Sequence, residues 1–108
     1  MATMTHEEVI TMLERMKLPI AYDHFAEGEA PDPAFICFLF SGSENFGADD
    51  RVYYEVSDLR IELYTDAKDP ELEDQLEAIL DEYELFWDKS EVWIESEKLF
   101  EVLYQMQV

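Results

Sequence analysis

The sequence predicts a small α+β domain in which two helices pack on an antiparallel or mixed β-sheet, in the order α-β-β-β-α-β-β. Two segments have apolar residues at helical spacing behind residues that cap helix N-termini. The segments between and after them are short apolar or alternating runs, which are typical of strands. The chain has 108 residues, 48% of them hydrophobic, which is enough for one core. We therefore expect residues 1–108 to form a single domain.

The first helix is predicted close to the N-terminus. Thr5 is followed three residues later by Glu8, which is the pattern of a capping box. The next apolar residues share one helical face: Val9, Met12, Leu13 and Met16. We expect Pro19 to end the helix, because proline disrupts the hydrogen bonding of a helix interior.

Two strands are predicted next. Residues 20–25 can form a short strand, followed by a turn-rich break that contains Gly28, Pro31 and Pro33. The run Ala-Phe-Ile-Cys-Phe-Leu-Phe at residues 34–40 is the longest apolar run of the chain. It is predicted to be a buried central strand.

Residues 41–50 have the Gly, Ser, Asn and Asp content of a mobile, projecting loop. The loop contains one aromatic residue, Phe46, and a lone apolar side chain in a polar segment suits docking onto a partner. We expect the loop to become ordered on contact with a neighbouring subunit. The candidate interface residues are Ser43, Glu44, Asn45, Phe46, Asp49 and Asp50.

The next strand region changes the parity of its apolar positions. They fall on even numbers from Val52 to Val56 and on odd numbers from Leu59 to Leu63. Since side chains of a strand alternate between faces, the switch indicates either a bulge near Ser57 and Asp58 or a turn between two strands. We favour the bulge.

The second helix begins with Asp69 as N-cap and Pro70 in the first turn. Its apolar stripe consists of Leu72, Leu76, Ile79, Leu80 and Tyr83, and its other face is acidic. Residues 85–94 and 99–108 then predict a closing hairpin around the turn at residues 95–98. One set of aromatic residues is expected mainly in the core, with an exposed patch for a partner as the alternative: Tyr53, Tyr54, Phe86, Trp87, Trp93 and Phe100.

The charge balance and the length of the apolar runs exclude several classes of function. The chain has 27 Asp and Glu against 7 Lys and Arg, a formal charge of -20, whereas nucleic-acid readers need a basic surface. The longest apolar run is far shorter than the ~20 residues that span a bilayer. We expect a chain that is made in the cytosol and does not enter a membrane.

The residues suited to nucleophilic catalysis are few. The chain has two histidines, His6 and His24, and one cysteine, Cys37. Both histidines are predicted at the surface, and Cys37 is predicted in the core, where burial suppresses the reactive thiolate. Asp49, Asp50 and the carboxylates at 66–69 lack the spacing of a calcium loop. We therefore expect a protein that is not an enzyme and that carries no cofactor or metal.

Several segments together resemble the small tail-completion proteins of siphophages and of prophages of Gram-positive bacteria. These are the capping-box helix, the strand Pro-Ala-Phe-Ile-Cys-Phe at 33–38, the long strand at 53–65, the helix opening Asp-Pro-Glu-Leu-Glu at 69–73, and the ending at 93–104. The likeness covers almost the full length. The chain is similar to the tail terminator, or tail-to-head joining, family.

The resemblance implies a structural protein of the virion. Members of the family have a small α+β fold and form a homo-oligomeric ring, a hexamer, that caps the tail tube at the head-proximal end. The implied partners are further copies of the chain, the tail tube protein and a head-completion or connector protein. The genome passes through such a ring without specific binding, and acidic walls would repel its phosphates.

A second hypothesis is an acidic DNA mimic that inhibits a host DNA-binding enzyme. In that case carboxylates on the second helix would imitate phosphates, with Glu71, Asp74, Glu77, Asp81 and Glu84 exposed. A small metal-dependent enzyme and an unclassified interaction domain are further alternatives.

Overall fold

The computed structural model describes residues 4–48 and 51–108, with side chains at 4–43 and 56–108. Over these residues the chain forms two helices and one five-stranded mixed sheet, which confirms the predicted α+β class and element order. The elements are α1 His6–Glu14, β1 Ile20–Tyr22, β2 Phe35–Ala48, β3 Arg51–Thr65, α2 Pro70–Glu82, β4 Asp88–Ile94 and β5 Leu99–Gln107.

The strands lie in the order β1-β2-β3-β5-β4. β1 pairs with β2 in parallel, and the other neighbours are antiparallel. β3 is therefore the central strand, whereas β1 and β4 are the outer strands. Within the described part of the chain, neither helix is long and apolar enough to cross a membrane.

Both helices pack on the same face of the sheet. Leu59, Ile61 and Leu63 of β3 are completely buried there, together with Val9, Met12 and Leu13 of α1 and Leu76 and Leu80 of α2. β5 contributes Val102 and Tyr104 to the same core. The opposite face of the sheet, called here the open face, carries the alternate residues of each strand.

The helix ends follow the local sequence signals. In α1 the Thr5 hydroxyl accepts a hydrogen bond from the Glu8 amide at 3.1 Å, and the Glu8 carboxylate accepts one from the Thr5 amide at 3.0 Å. In α2 the Asp69 carboxylate accepts a hydrogen bond from the Leu72 amide at 3.1 Å. The capping box and the Asp69 cap are thus confirmed.

Two helix predictions need correction. α1 ends at Glu14, well before Pro19, and the left-handed φ of 58° at Lys17 turns the chain away from the helix. Met16 is nonetheless buried, as its position in the stripe predicted. In α2 the predicted stripe residue Tyr83 is 38% exposed, because the helix has already ended at Glu82.

The predicted loop at 41–50 is wrong for residues 41–48. β2 continues through Ala48, and Gly42 to Phe46 pair with Asp58 to Tyr54 of β3. The pairing satisfies the backbone hydrogen bonds of a segment whose side chains are typical of a loop. β1, in turn, is shorter than predicted and ends at Tyr22, because Asp23 adopts a left-handed φ of 65°.

β3 is continuous from Arg51 to Thr65, so the alternative of a turn between two strands is wrong. The favoured bulge is not in β3 at Ser57 and Asp58, because residues 54–65 pair without a skipped residue; Val56 and Leu59 therefore lie on opposite faces of one strand, which accounts for the parity switch. A bulge is present in the β2–β3 pairing next to this position. The extra residue lies on the partner strand, however, because Phe40 pairs with Leu59 while Gly42 pairs with Asp58. Ser41 is therefore the bulged residue beside the predicted position.

The closing hairpin is present with small changes of bounds. β4 begins at Asp88 instead of residue 85, and β5 ends at Gln107. Lys98, with φ 55°, completes the turn between them.

Candidate assembly surface

The β2–β3 hairpin extends beyond the rest of the sheet. β5 pairs with β3 as far as Asp58, and Val108 then exchanges two backbone hydrogen bonds with Ser57 at 3.0 and 2.9 Å. Residues 44–48 of β2 and 51–55 of β3 belong to the part of the hairpin where these two strands pair with each other. We call residues 44–48 and 51–55 the distal hairpin. The molecule accordingly measures 50 Å along its longest axis and 29 and 23 Å along the others.

The predicted interface residues divide among three locations. Ser43 is exposed at the base of the distal hairpin and pairs with Ser57. Glu44, Asn45 and Phe46 lie along β2 in the distal hairpin, paired with Val56, Glu55 and Tyr54. Asp49 and Asp50 lie outside the described residues. The structure thus places four of the six along one strand of a projecting hairpin.

The open face carries a half-buried polar cluster at its centre. The Tyr64 hydroxyl lies 3.2 Å from Glu62 Oε1 and 3.0 Å from Glu101 Oε2. A hydroxyl has one proton, so Tyr64 donates to one of the two carboxylates at a time. Arg60 Nη2 contacts the other oxygen of Glu62 at 3.2 Å.

Burial raises the pKa of Glu62, and the neighbouring charge of Glu101 raises it further; together they outweigh Tyr64 and Arg60. Burial likewise raises the pKa of Tyr64, aided by Glu62 and Glu101. Cys37, which pairs with Glu62 across β2 and β3, is 4% exposed. Burial, and then the charge of Glu62, raise the pKa of its thiol to about 11, so the thiol is protonated at neutral pH.

A second polar cluster ties α2 to the outer strand β4. The carboxylate of Glu73, whose side chain is 4% exposed, lies 2.7 Å from the ammonium groups of both Lys68 and Lys89. Lys89 also contacts Glu77 at 2.7 Å, and the Tyr104 hydroxyl donates to the same Glu77 oxygen at 2.7 Å. Lys89, a residue of β4, is thus paired with two carboxylates of α2, those of Glu73 and Glu77.

Sequence reasoning missed Glu73 and misplaced Glu77. Glu73 precedes Leu76 by three residues and Leu80 by seven, so its position on the buried stripe was visible in the spacing. Glu77 was predicted on the exposed acidic face, but its side chain is only 18% exposed. Asp81, from the same predicted face, is exposed and accepts a hydrogen bond from Trp87 Nε1 at 2.9 Å.

The potential catalytic residues lie on different faces of the sheet. His6 is exposed, as predicted, and its ring stacks on Phe40 with centroids 4.2 Å apart, on the helix side. Cys37 lies between the inward-facing residues Ile36 and Phe38 of β2, so its side chain faces the open side. His24 is exposed beside Asp23, with Nδ1 2.8 Å from the carboxylate. This placement does not assemble a nucleophile with its base.

The aromatic residues of the C-terminal region are partly exposed. Trp87 packs edge-on against Tyr104 with centroids 5.5 Å apart, which agrees with the predicted core position. Trp93 packs against Phe100 but remains 40% exposed on the outer strand β4. Phe86 is 89% exposed, contrary to the expectation that these residues lie mainly in the core. Tyr53 and Tyr54 belong to the distal hairpin.

Among the side chains that the structure describes, at 4–43 and 56–108, no group of three or more His, Cys, Asp and Glu residues is arranged to hold a metal ion. Comparison of the sequence with protein-family models and with curated proteins finds no match.

Proposed function

We propose that this protein is a structural subunit of a phage tail, a tail terminator or tail-to-head joining protein that caps the tail tube as a homo-oligomeric ring. The distal hairpin is the observation that carries the proposal. A two-stranded ribbon without a further partner is at best marginally stable in water. A ribbon of this kind gains stability when a neighbouring subunit or a tube protein covers it, which suits a protein that acts by assembling.

The outer strand β4 supplies a second surface suited to assembly. Val92 is 53% exposed and Trp93 40% exposed on this strand, and an outer strand also presents unpaired backbone groups. Apolar side chains beside an open sheet edge favour contact with another chain. In a ring each subunit would use one such surface against a different surface of its neighbour.

The distribution of charge favours a ring through which DNA passes without binding. Among the described side chains, five cationic groups contact carboxylates of this chain, namely Arg15, Arg60, Lys68, Lys89 and Lys98. A surface so dominated by carboxylates repels phosphate. We propose that the protein acts at the head-proximal end of the tail, between the tube and a head-completion or connector protein, without a cofactor.

The test is a phage or prophage that lacks the gene for this protein. We expect filled heads and tails of irregular length that fail to join, because tube subunits continue to add where no ring stops them. Wild-type protein supplied in trans should restore joining. Normal-length, infectious particles formed without the protein would contradict the proposal.

A matched pair of substitutions tests the role of the hairpin in the same complementation assay. Phe46→Ala removes the lone aromatic residue of the segment 41–50, whereas Gln75→Ala changes an exposed polar residue of α2, away from the hairpin. We expect Phe46→Ala to fold normally and to complement poorly, and Gln75→Ala to complement well. Equal complementation by both would remove the hairpin from the proposed interface.

The alternative of a DNA-mimic inhibitor is less well supported by the described residues of α2. Of its five proposed phosphate mimics, Glu77 is paired with Lys89 and Asp81 holds Trp87. A carboxylate paired within the protein has less charge to offer an enzyme's DNA site. Glu71, Asp74 and Glu84 remain exposed.

A further inference from the structure

A groove of about 660 Å³ lies on the open face, near the base of the β2–β3 hairpin. Arg60, Gln105 and Asp88 line it side by side on β3, β5 and β4, since Gln105 pairs with both of the others. Phe86, from the segment between α2 and β4, also lines the groove. Ser41, the bulged residue of β2, lies at the groove as well.

Phe86 gives the groove an apolar surface. Its side chain is 89% exposed, more than that of any other large apolar residue in the part of the chain that the structure describes. A phenylalanine this exposed leaves a large apolar area in water, which contact with a partner would remove. The groove therefore offers an aromatic contact that the monomer does not use.

The charges around the groove select a cation. Asp58, Glu84 and Asp88 contribute three carboxylates, against the single guanidinium of Arg60. Asp58 also accepts a hydrogen bond from the side-chain amide of Gln107 at 3.2 Å, which fixes its orientation. A phosphate or a carboxylate would be repelled here, whereas an ammonium or guanidinium group would be attracted.

Arg60 adds a requirement that a simple cation does not meet. Its Nη2 contacts Glu62, but its buried Nε has no hydrogen-bond partner among the described residues. The Arg60 side chain as a whole is 34% exposed and its guanidinium has five N–H donors, so a ligand that brings an acceptor oxygen next to the accessible N–H groups gains binding energy. A metal ion provides neither this acceptor nor an apolar contact for Phe86. A polypeptide provides both, together with a cationic side chain.

We propose that this groove binds an extended segment of a partner protein that presents a Lys or Arg side chain next to an apolar residue. The cation lies among Asp58, Glu84 and Asp88, and the apolar side chain packs on Phe86. A backbone carbonyl of the segment accepts a hydrogen bond from an accessible N–H group of the Arg60 guanidinium. A second copy of this chain is the less favourable occupant, because its net charge is also -20. The inference is independent of the proposed role in a phage tail.

The test uses a fluorescein-labelled peptide with the sequence Leu-Lys-Leu-Lys-Leu and measures its binding by fluorescence anisotropy. Two matched peptides replace either both lysines by glutamate or all leucines by serine. We expect the Lys-Leu peptide to bind, the glutamate peptide not to bind, and the serine peptide to bind about tenfold more weakly. Equal binding of the Lys-Leu and serine peptides would overturn the role of Phe86, because charge alone would then explain attraction to so acidic a protein.

Variants of the full chain locate the binding site. Phe86→Ala and the double variant Glu84→Gln/Asp88→Asn are each expected to weaken binding about tenfold. Glu71→Gln/Asp74→Asn removes the same charge from the exposed face of α2 and should bind as tightly as the wild type. If all three variants lose affinity equally, binding is nonspecific and the proposal fails.

Sedimentation of the wild type and of Phe86→Ala distinguishes the remaining occupant. We expect the same oligomeric state for both proteins, because the groove binds a different protein and does not contact a second copy of the chain. If the wild type sediments as an oligomer and the Phe86→Ala variant as a monomer, the groove holds a second copy of the chain and the proposal is wrong.

Discussion

Among the cationic residues of the chain, Lys89 is the one whose loss we expect to destabilise the fold most. It contacts Glu73, which is buried, and Glu77, which is largely buried, so its removal leaves carboxylates with little water and fewer counter-charges. We expect Lys89→Met to lower the free energy of unfolding by about 2 kcal/mol. Lys98→Met, which removes a solvent-exposed pair with Glu95, should leave it almost unchanged. Urea denaturation measures the free energy of unfolding of both variants. Equally small decreases would show that other groups compensate the charge of Glu73 when Lys89 is absent.

Glu62 and Glu73 should have opposite effects on the pH dependence of stability. Burial and the charge of Glu101 raise the pKa of Glu62 in the folded protein, so its ionisation opposes folding at neutral pH. Burial alone would also raise the pKa of Glu73, but Lys68 and Lys89 outweigh it and lower that pKa, so ionised Glu73 stabilises the fold. This stability is present above the unfolded-state pKa and is lost as the pH falls through the folded-state pKa.

Glu62→Gln is therefore expected to be more stable than the wild type at neutral pH. Its advantage should shrink as the pH falls through the raised pKa of Glu62 toward the ordinary glutamate value, because the wild type then takes up the proton. Glu73→Gln should be less stable than the wild type at neutral pH, and its deficit should disappear only in more acidic solution. Thermal melts across this pH range test both, and parallel curves for the two variants would refute the assignment.

At the residue scale, the sequence predicted local contacts better than distant ones. Thr5 and Glu8 are three positions apart, so their capping box can be recognised from the local sequence. Lys89 and Glu73 are brought together only when β4 packs beside α2. With 27 acidic residues in the chain, nothing local indicates which of them a lysine will contact.

At the element scale, the distal hairpin should be less protected than the sheet from which it extends. In β2 the segment 36–38 pairs on both sides, with β1 and β3, whereas residues 44–48 pair with β3 alone. We expect amide hydrogen exchange to be faster at 44–48 and 51–55 than at 36–38 and 59–63, and to slow when the protein assembles. Protection in the free subunit equal to that of the central strands would contradict this, as would exchange unchanged by assembly.

The same segment shows why composition misled the prediction for elements. Ser, Gly and Asn at 41–47 are typical of loops, yet strand pairing depends on the partner backbone as much as on the side chains. The apolar run at 34–40 and the helix stripes were predicted well, because burial on one face leaves a periodic signal. Residues 41–48 have no such periodic apolar pattern, so composition alone guided the prediction there.

At the scale of the whole molecule, the net charge should make stability depend on salt. For a sphere of about 17 Å radius, the self-energy of twenty like charges at physiological salt is on the order of 15 kcal/mol, comparable to a whole folding free energy. The unfolded chain also repels itself, so part of this energy opposes folding. We expect the melting temperature and self-association both to rise between low and moderate sodium chloride. An unchanged midpoint would mean that the ion pairs and the elongated shape already disperse the repulsion.

Charge reversal on α2 separates the two proposed functions of the whole molecule. The best positions are Glu71 and Asp74, because both are exposed, whereas Glu77 and Asp81 hold Lys89 and Trp87 and their loss would disturb the fold. A DNA mimic with Glu71→Lys and Asp74→Lys should lose its inhibitory binding, since it then presents cations where a phosphate is expected. A tail terminator that uses this helix face only as an outer solvated surface should still halt the growth of uncapped tail tubes, which electron microscopy measures as tube length. The wild type must halt growth in the same assay without turnover or cofactor, and tubes that lengthen unchecked in its presence would exclude the terminator.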